Sequence, residues 1–273
     1  MTAAVVVPLY REALALTEAI SLEQCCRVLA RHPFVLVCAD GMDLARPLAV
    51  ARRSGIEPRV ERFAPAWFES TRSYNALLMW RRFFERFERH EHILVHQLDA
   101  FVFDDALATY CAMGYDYIGA PWLHNDREGR YVGNGGFSLR SVGPALRVLT
   151  SSARMHPKLA LRWWRNGSRR NRISRVLQRH RRLDRLMQSS VYLPPLVSQA
   201  LYVNEDGFWG QNCDKLPYFR TAPYEVAVSF SFETEPEIAY VNNGERLPFG
   251  CHAWPFCNPG FWRTHINRLG YEW

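Results

Sequence analysis

Apolar residues in this chain come as short continuous blocks, separated by longer stretches in which they recur every three or four positions, and that alternation predicts strands and helices in turn. Ala3 to Leu9 is a valine-rich block followed by Tyr10-Arg11-Glu12, a first buried strand ending in a loop. Leu14, Ala15, Ile20, Leu22 and Val28-Leu29 then fall on one helical face, and Phe34 to Ala39 forms a second block closed by the turn Asp40-Gly41. A strand, helix and second strand by position 41 make a βαβ unit, which predicts an α/β fold with a mostly parallel sheet flanked by helices. Arg59 to Phe63 fits a third, short strand. Ser70 or Ser73 suits the cap of a following helix, whose stripe of Tyr74, Leu77, Leu78, Trp80, Phe84 and Phe87 belongs to the core. Further on, Tyr115 to Ala120 reads as a strand, Val142 to Leu149 as a helix, and the alternation Val226, Val228, Phe230, Phe232 within Ala222 to Phe232 as a period-2 strand.

The run His92 to Phe103 organises the rest. It is apolar enough for a central, covered strand and carries a carboxylate, Asp99, where such a strand would stop. Ligands of open α/β sheets bind at the carboxyl ends of the strands, so Asp99 is placed to hold a metal ion or a polar substrate. Asp104 and Asp105 follow, and their charge suits the N-terminal end of a short helix. Three other segments carry chemistry. Residues 133–140, Gly-Asn-Gly-Gly-Phe-Ser-Leu-Arg, offer glycines that let backbone approach a ligand, or else a bulge or hairpin turn. Asn204-Glu205-Asp206-Gly207-Phe208-Trp209 sets paired acids beside aromatics, which suits a general base, and equally a helix N-cap. His252, in Leu-Pro-Phe-Gly-Cys-His-Ala-Trp, is a lone imidazole among small and aromatic residues; such residues often serve structure alone.

Composition changes this picture in one place. The chain has 273 residues with 48% hydrophobic content, enough for a single domain spanning residues 1–273. Its net charge of +7 is an average of unlike parts: residues 154–186 hold twelve Lys and Arg against one acid, Asp184, and the remainder sums to −4. The basic stretch, with Trp163-Trp164 and a break at Asn166-Gly167-Ser168, predicts an arginine-rich helical insertion over residues 154–195 within the domain. Its partner is an anionic membrane surface, a nucleic acid, or water alone as a solvated hairpin. The basicity belongs to one segment, so it speaks about that segment's partner and not about the fold; nucleic acid is the least expected, since it leaves the other motifs unexplained. Seven cysteines show no zinc or CxxC spacing and are expected as reduced thiols. The N-terminus shows no secretory signal and no apolar run reaches membrane-spanning length, so a cytoplasmic protein is expected, peripheral at the inner membrane face if the basic segment docks there.

Taken together, the segments Val-Val-Pro-Leu-Tyr-Arg-Glu (6–12), Ala-Asp-Gly (39–41), Gln-Leu-Asp-Ala-Phe (97–101), residues 133–140, Glu-Asp-Gly-Phe-Trp (205–209) and residues 247–254 resemble GT-A, family-2-like glycosyltransferases. More narrowly, they resemble a bacterial group of GT-A-like proteins, DUF5672, defined by such motifs. The resemblance implies a Rossmann-like GT-A sheet and transfer of a sugar from a nucleotide sugar, a UDP-sugar by first expectation. The acceptor would be a hydroxyl on a glycan or lipid-linked glycan in cell-surface polysaccharide or glycan assembly. It implies donor contacts from Pro8, Tyr10, Glu12, Asp40, Gln97, Asn134, Gly135 and Gly136, with Asn134 on sugar hydroxyls. Arg140 would face the diphosphate or serve as an ion-pair partner. Asp206, with Glu205 as the second candidate, would be the base of an inverting reaction. Asp99 and His252 would hold Mn²⁺ or Mg²⁺. The glutamine at 97, where the Asp-x-Asp motif has its first aspartate, departs from the pattern and weakens that metal site. Two other functions fit parts of the pattern: a sugar-phosphate nucleotidyltransferase, and a non-catalytic nucleotide- or sugar-binding protein.

Overall fold

The computed structural model describes residues 2–123, 131–153, 192–200 and 203–273. The arginine-rich segment expected as a helical insertion lies, up to residue 191, outside the described residues. A six-stranded sheet runs in the order β3-β2-β1-β4-β7-β6. Its strands are β1 (Ala3–Pro8), β2 (Phe34–Ala39), β3 (Arg59–Phe63), β4 (His92–His96), β6 (Tyr117–Ile118) and β7 (Phe137–Ser141). The first four are parallel, and β7 runs antiparallel to both β4 and β6. A second sheet, β5-β9-β8, is made of three two-residue strands: β5 (Phe101–Val102), β8 (Ser231–Phe232) and β9 (Gly250–Cys251). This is the mixed, mostly parallel α/β architecture that the alternation of blocks predicts.

The strands are continuous apolar runs because both faces are covered. Side chains alternate across the sheet: Val5, Val7, Leu36 and Leu94 enter the core on one face, and Ala4, Val6, Val35, Val37, Ile93 and Val95 enter the core on the other. Helix α1 (Leu16–Val28) packs Leu22, Cys25 and Cys26 into the first core. Its two buried polar residues are tied to the segment after β4, where Ser21 Oγ donates to the Ala100 carbonyl and Gln24 Nε2 to that of Val102 at 2.8 Å. On the opposite face, Phe84 meets Trp209 edge-on, and Phe83 packs against both Phe84 and Phe87.

Several expectations are corrected. The stretch Ala222 to Phe232 is mostly helix, Tyr224–Phe230, and only Ser231–Phe232 is strand. A helix started by Pro223 buries Ala227, Val228 and Phe230, a pattern that two-residue alternation imitates over so short a run. The aromatic stripe after Ser70 breaks into two helices, Thr71–Leu77 and Arg81–Glu85, with Ser70 Oγ accepting from Ser73 N at 3.1 Å as the cap of the first. Neither Asp104 nor Asp105 is the cap residue of the helix Leu107–Ala112, which starts after Ala106: Asp104 accepts from the Ala106 N–H beside that start, and Asp105 is drawn to Arg31 and His32. All seven cysteines are free, as expected. Among the described residues, no helix is long and apolar enough to cross a membrane.

Candidate active site

The strand order decides where a ligand can sit. From β1 the chain winds outward through β2 to β3, then returns to place β4 on the other side of β1, so β1 and β4 flank a topological switch point. Crevices outside the carboxyl ends of strands open at such points. Tyr10 follows β1, and Gln97-Leu98-Asp99 follows β4, so both segments reach the same crevice. The cleft there encloses about 680 Å³. Tyr10, Gln97, Asp99, Asn134, Gly135, Gly136, Glu205, Asp206 and His252 all line it.

His252 arrives through the small sheet. Strand β9 pairs antiparallel with β5 and parallel with β8, and this clamps the residue after Cys251 next to the residues before Phe101. The backbone is fixed further by His252 N donating to Phe232 O at 2.9 Å and Trp254 N donating to Asp99 O at 3.3 Å. As a result His252 Nε2 stands 3.2 Å from Asp99 Oδ1 and 3.3 Å from Gln97 Oε1, while Nδ1 stands 3.0 Å from Glu233 Oε1. Burial lowers the imidazole's affinity for a proton, but the hydrogen bonds and charges of Asp99 and Glu233 outweigh it and push His252 up to about 10. Burial would raise Asp99, yet its bond to His252 leaves it below the usual carboxylate range. His96, fully buried against the Phe137 ring, is pushed down to about 4 by that burial and stays neutral beside this charged group.

The donor set fits a divalent cation, although only when a ligand completes it. Among the described residues no three His, Cys, Asp or Glu side chains form a metal cluster. One carboxylate, one imidazole and one amide oxygen converge, at separations of 3.2 and 3.3 Å from the imidazole. An octahedral cation with bonds of about 2.1 Å holds adjacent ligands roughly 3 Å apart, so the side chains would need to move little, and Nε2 would give up to solvent the proton it shares with Asp99. Glu233 supplies what a metal-binding imidazole ordinarily has, a carboxylate on its other nitrogen that turns Nε2 toward the metal. Gln97 is itself oriented, its amide nitrogen donating to Tyr74 Oη at 3.3 Å.

The glycine segment forms the floor. A Cβ on Gly136 would overlap the His252 ring, and one on Gly135 would overlap the Glu205 carboxylate, so both positions are bare because side chains already press on the backbone. Asn134 holds a left-handed φ of 65°, which asparagine tolerates, and its Oδ1 accepts from Gly136 N at 3.1 Å. Its amide nitrogen is buried with no partner among the described residues, a donor left over for a ligand.

The paired acids part company. Glu205 lines the floor, but its carboxylate faces Arg140 on both oxygens, at 2.9 Å and 2.8 Å, and both residues are buried. Arg140 therefore does not face the cleft; of its two expected roles, the structure has it as an ion-pair partner. Asp206 accepts from Gly207 N at 2.7 Å and is half-buried. Burial, then the charges of Glu205 and Glu233, push its carboxyl up to about 7. The residues that follow leave the α-helical path for a π-helical turn, Phe208–Asn212, a distortion frequent near functional sites. Asn204 starts the turn without capping it; its Oδ1 accepts from Asn75 Nδ2 at 3.2 Å.

Three expected nucleotide contacts lie off this cleft. Pro8 is buried at the end of β1, Asp40 is exposed at the end of β2, and Glu12 accepts from Asp43 N at 3.0 Å. Conversely, Glu233 and Phe256 were not singled out in the sequence. Glu233 follows the short strand β8 as Asp99 follows β4, a signal that reading one long strand through Phe232 obscured. Phe256 stands 75% exposed on the cleft lip with Pro255 and Phe68, and Tyr10 is 39% exposed.

No curated protein matches the chain. Many solved structures resemble it, among them two at low identity. Mouse xyloside xylosyltransferase 1, in its apo form, is 10% identical with a TM-score of 0.48, over 92% of this chain and 96% of that one. The galactosyltransferase LgtC, in complex with donor and acceptor sugar analogs, is 14% identical with a TM-score of 0.48, over 94% and 87%. The model of one family, described as a protein of unknown function, DUF5672, matches residues 57–252, well over half of the sequence, and the chain belongs to that family.

Proposed function

We propose that this chain is a glycosyltransferase that moves a sugar from a nucleoside diphosphate to an acceptor hydroxyl, assisted by Mn²⁺ or Mg²⁺ and with inversion at the anomeric carbon. The observation that carries the reading is the meeting of four chain segments on one cleft. Gln97 with Asp99, and His252, meet at one point, and Asp206 lines the same space over a glycine floor.

Asp99 and His252, with the amide oxygen of Gln97, would hold the cation. When bound, that ion neutralises charge on the leaving diphosphate. The chain's own groups account for the rest. Among the lining residues the cations are Arg11, paired with Glu18 at 2.6 Å, and His252, so the described wall offers little else to face a diphosphate. The exposed ring of Tyr10 suits a nucleobase, and the unpartnered amide of Asn134 suits a sugar hydroxyl. Asp206 holds its proton weakly enough near neutrality to accept one from an acceptor hydroxyl, and strongly enough to drive that transfer. The apolar lip of Phe68, Pro255 and Phe256 suits the faces of sugar rings. A UDP-sugar is the first donor to try. Glycan or lipid-linked glycan acceptors, and an inner-membrane location through residues 154–186, remain part of the proposal.

The neutral amide at Gln97 favours one rival, a protein that binds nucleotide sugar without turning it over. Calorimetry with nucleoside diphosphates and their sugars, with and without Mn²⁺, followed by mass spectrometry of incubated donor and acceptor mixtures, separates the two. Metal-dependent binding with a glycosylated product supports the transferase. Binding with neither transfer nor donor hydrolysis supports the rival, and no nucleotide binding at all removes both.

A further inference from the structure

We propose that the buried Arg140–Glu205 pair is a positioning strut, which sets the distance between the glycine floor and Asp206 and holds a negative charge beside that carboxylate. The proposal rests on Asp206 as the acceptor's base, and it assigns roles to two residues that touch no substrate.

Arg140 spends its guanidinium on three elements at once. Nε donates to Ser138 Oγ at 3.0 Å within β7, and Nη2 donates to the Gly135 carbonyl at 3.2 Å. Nη2 also donates to Glu205 Oε1 at 2.9 Å, and Nη1 stands 2.8 Å from Oε2 as a charge contact without hydrogen-bond geometry. The floor of the cleft and the acid turn are thus fastened to one planar group that is 1% exposed, and Glu205 is 3% exposed. One hydrogen bond and a second charge contact, together with the bonds to Ser138 and Gly135, restrain the orientation of the pair as well as its distance. Gly135 completes the joint, because any side chain there would collide with the Glu205 carboxylate.

Burying such a pair contributes little net stability compared with apolar residues of the same shape, so fold stability alone gives little reason for its presence. Its position offers another. Glu205 is the immediate neighbour of Asp206, and its charge disfavours a second ionised carboxylate there. The groups acting on Asp206 include Glu205 from its own turn, Glu233 from the segment after β8, Arg140 from β7, Tyr117 from β6, and the Gly207 amide. Of these charged ones, Glu205 has the largest effect and Arg140 the smallest. Removing Glu205's charge therefore favours ionised Asp206, and removing both charges does so less.

The test is carbon-13 NMR of the full chain labelled at aspartate carboxyls, the Asp206 signal being assigned by its loss in Asp206→Asn. In Glu205→Gln, the Asp206 titration midpoint is expected to fall by about one pH unit or more. Because Glu205→Gln leaves Arg140 buried with a weaker partner, the double substitution Arg140→Met with Glu205→Leu is measured alongside; it keeps volume, leaves no orphaned charge and is expected to fold. It should lower the midpoint by a smaller amount. With a working donor and acceptor, both variants should lose kcat by about a hundredfold, with the acid limb of the rate profile moved to lower pH and nucleotide Kd changed less than threefold. A midpoint unmoved in folded variants overturns the strut. The titration needs no turnover: a moved midpoint in a chain that transfers no sugar sinks the transferase reading and leaves the strut standing.

Discussion

Asp99 Oδ1 and His252 Nε2 stand 3.2 Å apart, brought together by strands only two residues long. The imidazole is held by acids on both sides, with Glu233 on Nδ1, so its ring plane and the direction of Nε2 are set before any ligand arrives. The contact joins the end of β4 to the C-terminal part of the chain, and both residues line one cleft.

Replacing Asp99 by alanine should therefore remove the metal dependence of nucleotide binding. Calorimetry with a nucleoside diphosphate and Mn²⁺ is expected to show affinity reduced by at least about tenfold, with affinity in EDTA unchanged. Gln97→Asp, which supplies a second carboxylate, should act in the opposite direction. Tighter metal-dependent binding in Asp99→Ala than in the parent chain would falsify the assignment.

Asp206→Asn should abolish transfer, by about 10²–10⁴-fold, while nucleotide binding stays intact. In the parent chain kcat/KM should fall as pH drops below about 7, because the protonated carboxyl accepts nothing. The same shift has a stability consequence whose sign is fixed. The folded chain holds this proton to higher pH than the unfolded chain, so the carboxyl costs next to no stability below about pH 3, begins to cost above pH 4 and costs most above pH 7. Asp206→Asn should accordingly melt higher at pH 8 by the equivalent of roughly 1–2 kcal/mol, allowing for the solvent that reaches this half-buried group, and should match the parent below about pH 3.

Gly136→Ala should leave secondary structure intact and displace the His252 ring, since a methyl group there overlaps it. The measurable result is a loss of Mn²⁺-dependent nucleotide affinity comparable to that of Asp99→Ala. Unchanged affinity would mean that His252 has no part in holding the metal.

Phe256→Ala removes the most exposed large apolar side chain among the described residues without touching the core. It should raise KM for a glycan acceptor by roughly five- to tenfold and leave nucleotide binding unchanged, as expected when a sugar face loses its aromatic platform. A rise in donor KM instead would move the nucleotide to that lip.

How far the sequence reached differs between elements. The runs Ala3 to Leu9 and His92 to Phe103 are legible as containing buried strands, observed at Ala3–Pro8 and His92–His96, because covered parallel strands are apolar on both faces and their shortness and β-branched content set them apart from a buried helix. Tyr224 to Phe230 was misread because seven residues hold barely two helical turns, over which the periods of a helix and a strand both fit. Asp105 was misread because its partners, Arg31 and His32, lie beyond any local pattern.

The sequence by itself determined which segments carry chemistry: a carboxylate ending a buried strand, a glycine run, a pair of acids before two aromatics, an imidazole near the C-terminus. These are local facts of residue type and spacing, and the α/β alternation around them is local as well. What only the tertiary structure decided is how those groups divide their work. Glu205 and Asp206 are neighbours of like chemistry, yet one is spent on Arg140 and the other is left facing the cleft. Glu233 gains meaning only beside His252. The physical reason is that charge, hydrogen bonding and burial act through space over a few ångströms, and the residues that supply them here lie on separate strands and turns that only the folded sheet brings together.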